Sequence, residues 1–538
     1  MKFDYVIVGG GSAGCVLANR LTEDASVTVL LLEAGCVDRS PLIHIPLGMG
    51  KIHELKLFDW GYHTEPEPHL NNRSIDAARG KVLGGSSSIN VMAYTRGHRG
   101  DYDRWARNGA TGWSYDECLP YFKRSETWTG SASEWRGNSG PLGTEFARTT
   151  DPLFGAWTEA FSQAGFPVVE DYNGHQGVGV GRSQYTIRNG RRSSTATAYL
   201  KPARHRTNLC IETGALTTSI LFEGRRASGV AYLRGKEQKT VAAEREVILS
   251  AGTFNSPQLL MLSGIGPADH LSALGIPTIM NLPVGENLQD HLAVMIEFAR
   301  SEDVSPFRDS MRLDKMAVAM VQAYLTGRGR ATVVPGGLHA FIKTVPDLDV
   351  PDIEFMFRGL PKDARLWFPG IRRAYQDGFG IRPCLLHPES RGKVSLRSRD
   401  PSDPPRILFN LLSEANDLRR LITGFKVARE VASQQAMAPY RGSETSPGII
   451  VKTDSDIENF IRRTAITAHH PAGTCKMGSA SDGVLDPEFR VRGIESLRVV
   501  DASAMPDLVG AHINACVIMM AERAADMIAG RSIQPQEH

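Results

Sequence analysis

Two glycine-rich loops are the first residues whose types and spacing could do chemistry. Gly9-Gly10-Gly11-Ser12-Ala13-Gly14 is a Gly-x-Gly-x-x-Gly run. Bare main chain at that spacing lets N–H groups and a helix N-terminus meet a pyrophosphate, and a side chain on Gly11 would block the approach. Glu33, nineteen residues beyond Gly14, stands where an acid accepts ribose hydroxyls and argues against a 2′-phosphate. A second loop, Gly80-Lys81-Val82-Leu83-Gly84-Gly85-Ser86-Ser87-Ser88-Ile89-Asn90, offers further N–H groups and small hydroxyls. The first loop alone fits NAD or FAD. The second is more than a nicotinamide enzyme of ordinary design needs, and points to a longer cofactor.

Hydrophobic periodicity supplies the elements that position these loops. Residues 5–8 form a β-branched apolar run, and Ala13, Val16, Leu17 and Leu21 keep one helical face, so the first loop is a strand-to-helix turn. A second strand, 27–32, ends at Glu33. Residues 247–250 read as a strand leading into a short helix with Ser256 as N-cap, Pro257 at its first position and Gly264 just past its end. Residues 352–358 and 393–397 alternate as antiparallel strands.

Composition bounds the rest. The chain has 538 residues, 41% hydrophobic, 22% charged and 7% aromatic, which excludes whole-chain disorder, collagen and coiled coil. Length predicts three or four domains, or two large ones. With 61 basic and 59 acidic residues there is no global field for nucleic acid or an anionic membrane. Seven cysteines without a Cys-x-x-Cys pair suggest neither a disulfide framework nor a metal site, and favour a reducing, cytoplasmic setting. No secretion signal and no run of ~18 apolar residues is present. Residues 316–325 (MAVAMVQAYL) read as a buried helix, with peripheral membrane contact as the alternative. The last eight residues, Arg531 and the seven after it, are expected to fray. The 53 glycines exceed an average near ~7% without any repeat.

These loops, taken with the later segments, resemble the glucose-methanol-choline (GMC) oxidoreductases, which are FAD enzymes. Residues 80–103 look like the family's first signature and 252–266 like its second. Gly285-Glu286-Asn287-Leu288-Gln289-Asp290-His291 is similar to another family block, and Ala468-His469-His470-Pro471-Ala472-Gly473-Thr474 matches its His-x-x-Gly-Thr motif. The resemblance covers the whole chain. It implies an α/β FAD-binding Rossmann-like domain plus an α+β substrate domain with an antiparallel sheet. Flavin motifs near residues 10, 85, 255 and 500 imply that the two interleave. Residues 1–150, 202–300 and 454–538 are then the FAD-binding domain, and 151–201 and 301–453 the substrate domain.

The resemblance also implies the roles. His470 faces the flavin, and counting back from Ala521-Glu522-Arg523-Ala524 places the second active-site position on His512 in preference to Asn514. An alcohol is a very weak acid, so an imidazole of pKa ~6.5 serves as base only where the developing alkoxide is stabilised. His470 is the expected base and His512 the hydrogen-bonding partner, with the roles open to exchange. His469 should point elsewhere in an extended segment, as pocket wall or behind the base. Gly9, Gly11, Gly14, Ser12, Ala13, Glu33 and Ala34 are expected at the ADP part. Gly85, Ser86, Asn90, Val91, Met92 and Ala93 are expected along the ribityl and ring, and Asp501 and Ala502 at the phosphate side. Trp60, Thr217, His512 and Ile513 complete the set. The glycine excess then reads as main chain kept bare for FAD, at Gly84, Gly252 and Gly473 as well. Where relatives link FAD covalently through a histidine, this chain has Ile89, so FAD is expected to be non-covalent.

The expected reaction oxidises a small, primary alcohol to the aldehyde, with hydride transfer to flavin N5 and electrons to a quinone-type acceptor or dye. An oxidase using O2 and making H2O2 is the alternative, and a flavin-containing lyase or photodecarboxylase is one of another class. Trp367 and Phe368, in the loop 364–371, are candidates for a pocket wall or for the core, and Cys384 and Leu386 for packing or a flavin-facing position. No residue spells which alcohol, and oligomeric state is not legible.

Overall fold

A computed structural model describes residues 2–175, 177–301, 305–479 and 482–531. Of the tail expected to fray, Arg531 pairs with Glu23 at 3.6 Å and Asp526 at 3.4 Å, and the seven residues after it lie outside the described residues.

Apolar runs that lack alternation become strands buried on both faces. Lys2–Val8 lies between Val29–Glu33 and Glu237–Leu249 and runs parallel to both, with Val6, Ile7, Val29 and Leu31 fully buried. Leu209–Thr213 adds a further parallel strand beyond Val29–Glu33. On the other side, Ala215–Glu223, Arg226–Arg234 and Glu237–Leu249 form an antiparallel meander. Leu497–Val499 returns from the far end of the chain to pair in parallel with Val247–Leu249. The strands therefore release Gly9, Ala34, Ser250 and Val500 at one edge, their shared carboxyl end, where open α/β sheets bind ligands.

A second sheet is antiparallel. Its order is Arg441–Ser446, Ile296–Arg300, Gly378–Leu385, Ile353–Arg358, Leu338–Ile342 and Gly179–Arg182, with Leu292–Ala293 and Ile466–Thr467 continuing it. Ile296–Arg300 and Ile466–Thr467 join this sheet although they sit in segments assigned above to the FAD-binding side. Register sets Met356 opposite both His339 and Arg382, and Glu354 opposite Cys384. Side chains alternate along each strand, so His339, Glu354, Met356, Arg358, Arg382 and Cys384 share one face.

Three local expectations change. The helix after the third parallel strand is Gly252–Leu262, starting four residues before Ser256 and enclosing Pro257. The carbonyl that Pro257 leaves without an N–H belongs to Thr253, and it accepts from Thr474 Oγ1 at 2.7 Å. Ser256 lies inside the helix and not at its N-cap position; its hydroxyl donates to Asp501 Oδ2 at 2.5 Å and accepts from Ala251 N at 3.1 Å. The 316–325 segment lies in the helix Leu313–Thr326, but it is not buried. Only Met316, Ala319 and Ala323 are covered, whereas Val318 and Leu325 are 69% and 70% exposed. No helix among the described residues is long and apolar enough to cross a membrane. Trp367 donates its indole N–H to Arg308 O at 3.0 Å.

The helix Ser12–Leu21 packs on Asn514–Ile528, and the buried Glu522 between them is neutralised by Arg20 at 2.9 Å and Arg124 at 2.8 Å. A Cβ on Gly14 would stand 1.9 Å from Gly9 O, so this glycine lets the helix close onto its strand. Gly14→Ala should lower the thermal unfolding midpoint by an amount equivalent to about 1–3 kcal/mol, the usual range for overpacking. An unchanged melting curve would mean that the helix shifts at no cost.

Candidate active site

Two adjoining cavities open at the carboxyl edge of the parallel strands. They hold about 620 Å³ and about 1390 Å³ of space, part of it open to solvent. Gly9, Gly11, Glu33, Ala34 and Thr217 line the first. Ser12, Ala13, Gly85, Ser86, Asn90, Val91, Met92 and Ala93 line the second, with Asp501, Ala502, His512, Ile513 and His470. Trp60 lines both. Gly14 lines neither, for the packing reason given above, and Gly84 and Gly473 also lie away from both walls.

The walls suit FAD. A Cβ on Gly11 would meet no protein atom closer than 3.8 Å and one on Gly252 would meet none within 4 Å, so both bare positions face open space. Glu33 is buried at the edge of the first cavity, its oxygens accepting from Gly10 N at 2.9 Å and Gly35 N at 2.7 Å. Burial pushes this carboxyl up to about 7, against those two hydrogen bonds. Asp501 accepts from Gly252 N at 2.9 Å and from Ser256, fixing one loop against another. Asn90 receives the Arg192 guanidinium at 2.7 Å on both its carbonyl and its side chain. Burial lowers Arg192 to about 9. Ile89 stands in the wall, where a covalent link would need a nucleophile.

The histidines converge in the second cavity. The His470 and His512 rings are 4.7 Å apart, edge to face. His470 reaches this point because its N–H donates to Asp290 Oδ1 at 2.8 Å, and His512 because its N–H donates to Thr95 Oγ1 at 2.6 Å. Asn514, the alternative to His512, accepts from Ser12 Oγ at 2.7 Å. Four neighbours were not singled out from sequence. His291 Nδ1 lies 2.9 Å from His470 Nδ1. Glu354 Oε1 lies 3.0 Å from His512 Nε2. His339 stacks on His512 with centroids 5.2 Å apart, and the ligand atoms of His339, Glu354 and His512 fall within 4.8 Å of one another. Arg382 stands beside them in the cavity wall. His291 sat in a quoted motif and could have been read from it; the three strand residues carried no signal beyond alternation.

Burial pushes His470 well below the usual histidine range, and His512, His291, Arg79 and His469 add to the effect. It brings His291 down to about 3 and His339 to about 4. Burial would raise Glu354, yet His512, His339 and His291 outweigh it and hold the carboxyl at about 2. Burial lifts Asp290 to about 6. His469 lies in the cavity wall, one of its two expected places, but not by way of extended backbone. Its φ of 64° is left-handed, not extended, so alternation fails and its side chain also lines the cavity. Trp367, Phe368, Cys384 and Leu386 line neither cavity.

Two family models, both described as GMC oxidoreductase, match residues 3–293 and 388–521. The oxygen-dependent choline dehydrogenase of Brucella canis is 43% identical over 536 residues, 99% of this chain and 96% of that protein. The mitochondrial choline dehydrogenase of Homo sapiens is 44% identical, over 98% of this chain and 90% of that one. Among solved structures, pyridoxine 4-oxidase from Mesorbium loti superposes with a TM-score of 0.87 at 31% identity, covering 99% of this chain and all of that one. A formate oxidase superposes at 0.91 and 28% identity, covering 98% of each chain. The chain belongs to the GMC oxidoreductases, FAD-dependent enzymes acting on CH–OH donors.

Proposed function

We propose that this protein oxidises a primary alcohol to its aldehyde with His470 as the base. The observation that carries the proposal is the 2.9 Å contact between His470 Nδ1 and His291 Nδ1. A neutral imidazole has one donor and one acceptor nitrogen. With His470 donating through Nδ1 to His291, its Nε2 lone pair is left to take the hydroxyl proton. His291 then holds the ring as it becomes charged, the orienting part that a carboxylate takes in a Ser-His-Asp triad.

His512 is the partner aimed at the same oxygen. Glu354 is ionised and can only accept, so the hydrogen in the 3.0 Å contact sits on His512 Nε2. The carboxylate orients the ring and offsets positive charge on it while the alkoxide develops. FAD, when bound, accepts the carbon-bound hydrogen as a hydride. Gly9, Gly11, Ser12, Ala13, Glu33, Ala34 and Thr217 would hold its ADP half, and Trp60, Gly85, Ser86, Asn90, Val91, Met92, Ala93, Asp501, Ala502, His512 and Ile513 the remainder. Electrons pass to a quinone-type organic acceptor. O2 is the second reading, supported by the oxidases among the structural relatives, and oxygen uptake in the presence of alcohol separates the two. The seven unpaired cysteines support a cytoplasmic setting.

His470→Ala should keep FAD bound and slow anaerobic flavin reduction by about 10²–10⁴-fold, the usual worth of a general base. Near-native reduction would overturn the assignment. Because Ile89 offers no nucleophile, acid precipitation should release all of the yellow colour into the supernatant. A pellet that stays yellow would show a covalent bond.

A further inference from the structure

The choline dehydrogenases among the relatives raise the question of charge, because a quaternary ammonium needs aromatic faces and a nearby carboxylate. In the cavity wall both kinds of group are already engaged. Its two large aromatic rings, Trp60 and Phe254, already carry protein cations, with Lys81 Nζ 4.2 Å from the Trp60 centroid and the Arg79 guanidinium 5.9 Å from that of Phe254. The one carboxylate in the wall, Asp501, is committed to Ser256, Ser503 and Gly252 N. Glu354 stands behind the wall and is taken by His512.

Arg382 is the opposite case. It projects from the sheet face shared with Met356 and lines the cavity that holds His470 and His512. Among the described residues it has no ion pair, and its single hydrogen bond runs from Nη2 to Thr467 O at 3.1 Å. Its Nε is buried without any partner. Arg358 and Glu297 both face Gly380, the next residue on the same side of that strand. On the other side Glu354 faces Cys384, and it is taken by His512, so no carboxylate among the described residues pairs with Arg382. Buried polar groups find partners in native structures, and an unmade bond to a charged donor is expensive.

On the reading that the protein oxidises alcohols, we infer that its substrate carries a carboxylate, which Arg382 receives while the hydroxyl lies between His470 and His512. A guanidinium matches a carboxylate through two parallel hydrogen bonds. Its fixed place in a sheet, rather than on a loop, sets the distance between the anionic group and the reacting carbon. Substrates are thereby selected by length as well as by charge.

The test uses the purified holoenzyme and two measurements. Flavin reduction is followed anaerobically with a series of ω-hydroxycarboxylates, their methyl esters, phosphorylated alcohols and choline. Binding without turnover is read from the flavin absorbance on adding saturated carboxylates or tetramethylammonium. The inference expects kcat/KM for the best hydroxycarboxylate to exceed that for its ester by about 10- to 100-fold, the range of a charge-assisted pair. It also expects saturated carboxylates to perturb the spectrum and tetramethylammonium not to. In Arg382→Gln the acid-to-ester ratio should fall towards one, and Arg382→Lys should restore part of it. Choline, a phosphorylated alcohol or the neutral esters reacting as well as the hydroxy acids, with no carboxylate perturbation, would overturn the inference and leave alcohol oxidation standing. Carboxylates that bind while no alcohol bleaches the flavin would overturn alcohol oxidation and leave the anion site.

Discussion

His470 has to stay uncharged in a buried pocket shared with other histidines and Arg79, and much of the surrounding structure follows from that requirement. Burial removes the water that would stabilise an imidazolium, and His512, His291, Arg79 and His469 all push in the same direction. His512 stands 4.7 Å away, and Glu354 makes the difference between the two rings. Placed at full burial against His512 and near His339, it puts a carboxylate behind the partner ring, not the base. Two histidines of similar intrinsic chemistry are thereby given different tasks by what stands behind each: a neutral ring behind His470 and a carboxylate behind His512.

The fold delivers this asymmetry from segments hundreds of residues apart. The parallel sheet gathers the ends of four strands at one edge, including Leu497–Val499 from the C-terminal region. The antiparallel sheet supplies Glu354, His339 and Arg382 from a rigid face. Between them, small contacts hold the histidine loops. Thr474 fills the carbonyl freed by Pro257, Asp290 holds the His470 backbone, and Thr95 holds that of His512. Arg96, next to Thr95, is anchored in turn by the buried Glu126 at 2.5 Å. Removing one partner of such a buried pair leaves a bare charge, typically worth about 3–5 kcal/mol.

What was legible in the sequence was what is local. The Gly-x-Gly-x-x-Gly turn, Glu33 at a strand end and the His-x-x-Gly-Thr motif are short strings whose spacing carries their geometry. Glu354, His339 and Arg382 were not legible, because alternation states that residues two apart share a face and not which face meets a cavity. His469 misled through its backbone: a left-handed φ of 64° breaks the alternation that an extended segment would show. The helix around Pro257 began early because Thr474, 217 residues away, satisfies the carbonyl that a proline normally leaves bare. Residues 316–325 are apolar on every side, so periodicity had no contrast from which to tell a covered face from an exposed one.

The central claim, a base held neutral by burial beside Arg79 and other histidines, is tested most directly by the pH dependence of anaerobic flavin reduction at saturating alcohol. A depressed pKa keeps the neutral, proton-accepting form populated as pH falls, so the rate should stay level from about pH 8 to about pH 6, through the ordinary imidazole value of ~6.5. A rate that falls with an apparent pKa near ~6.5 would show an ordinary, solvated histidine at this position and would contradict the account.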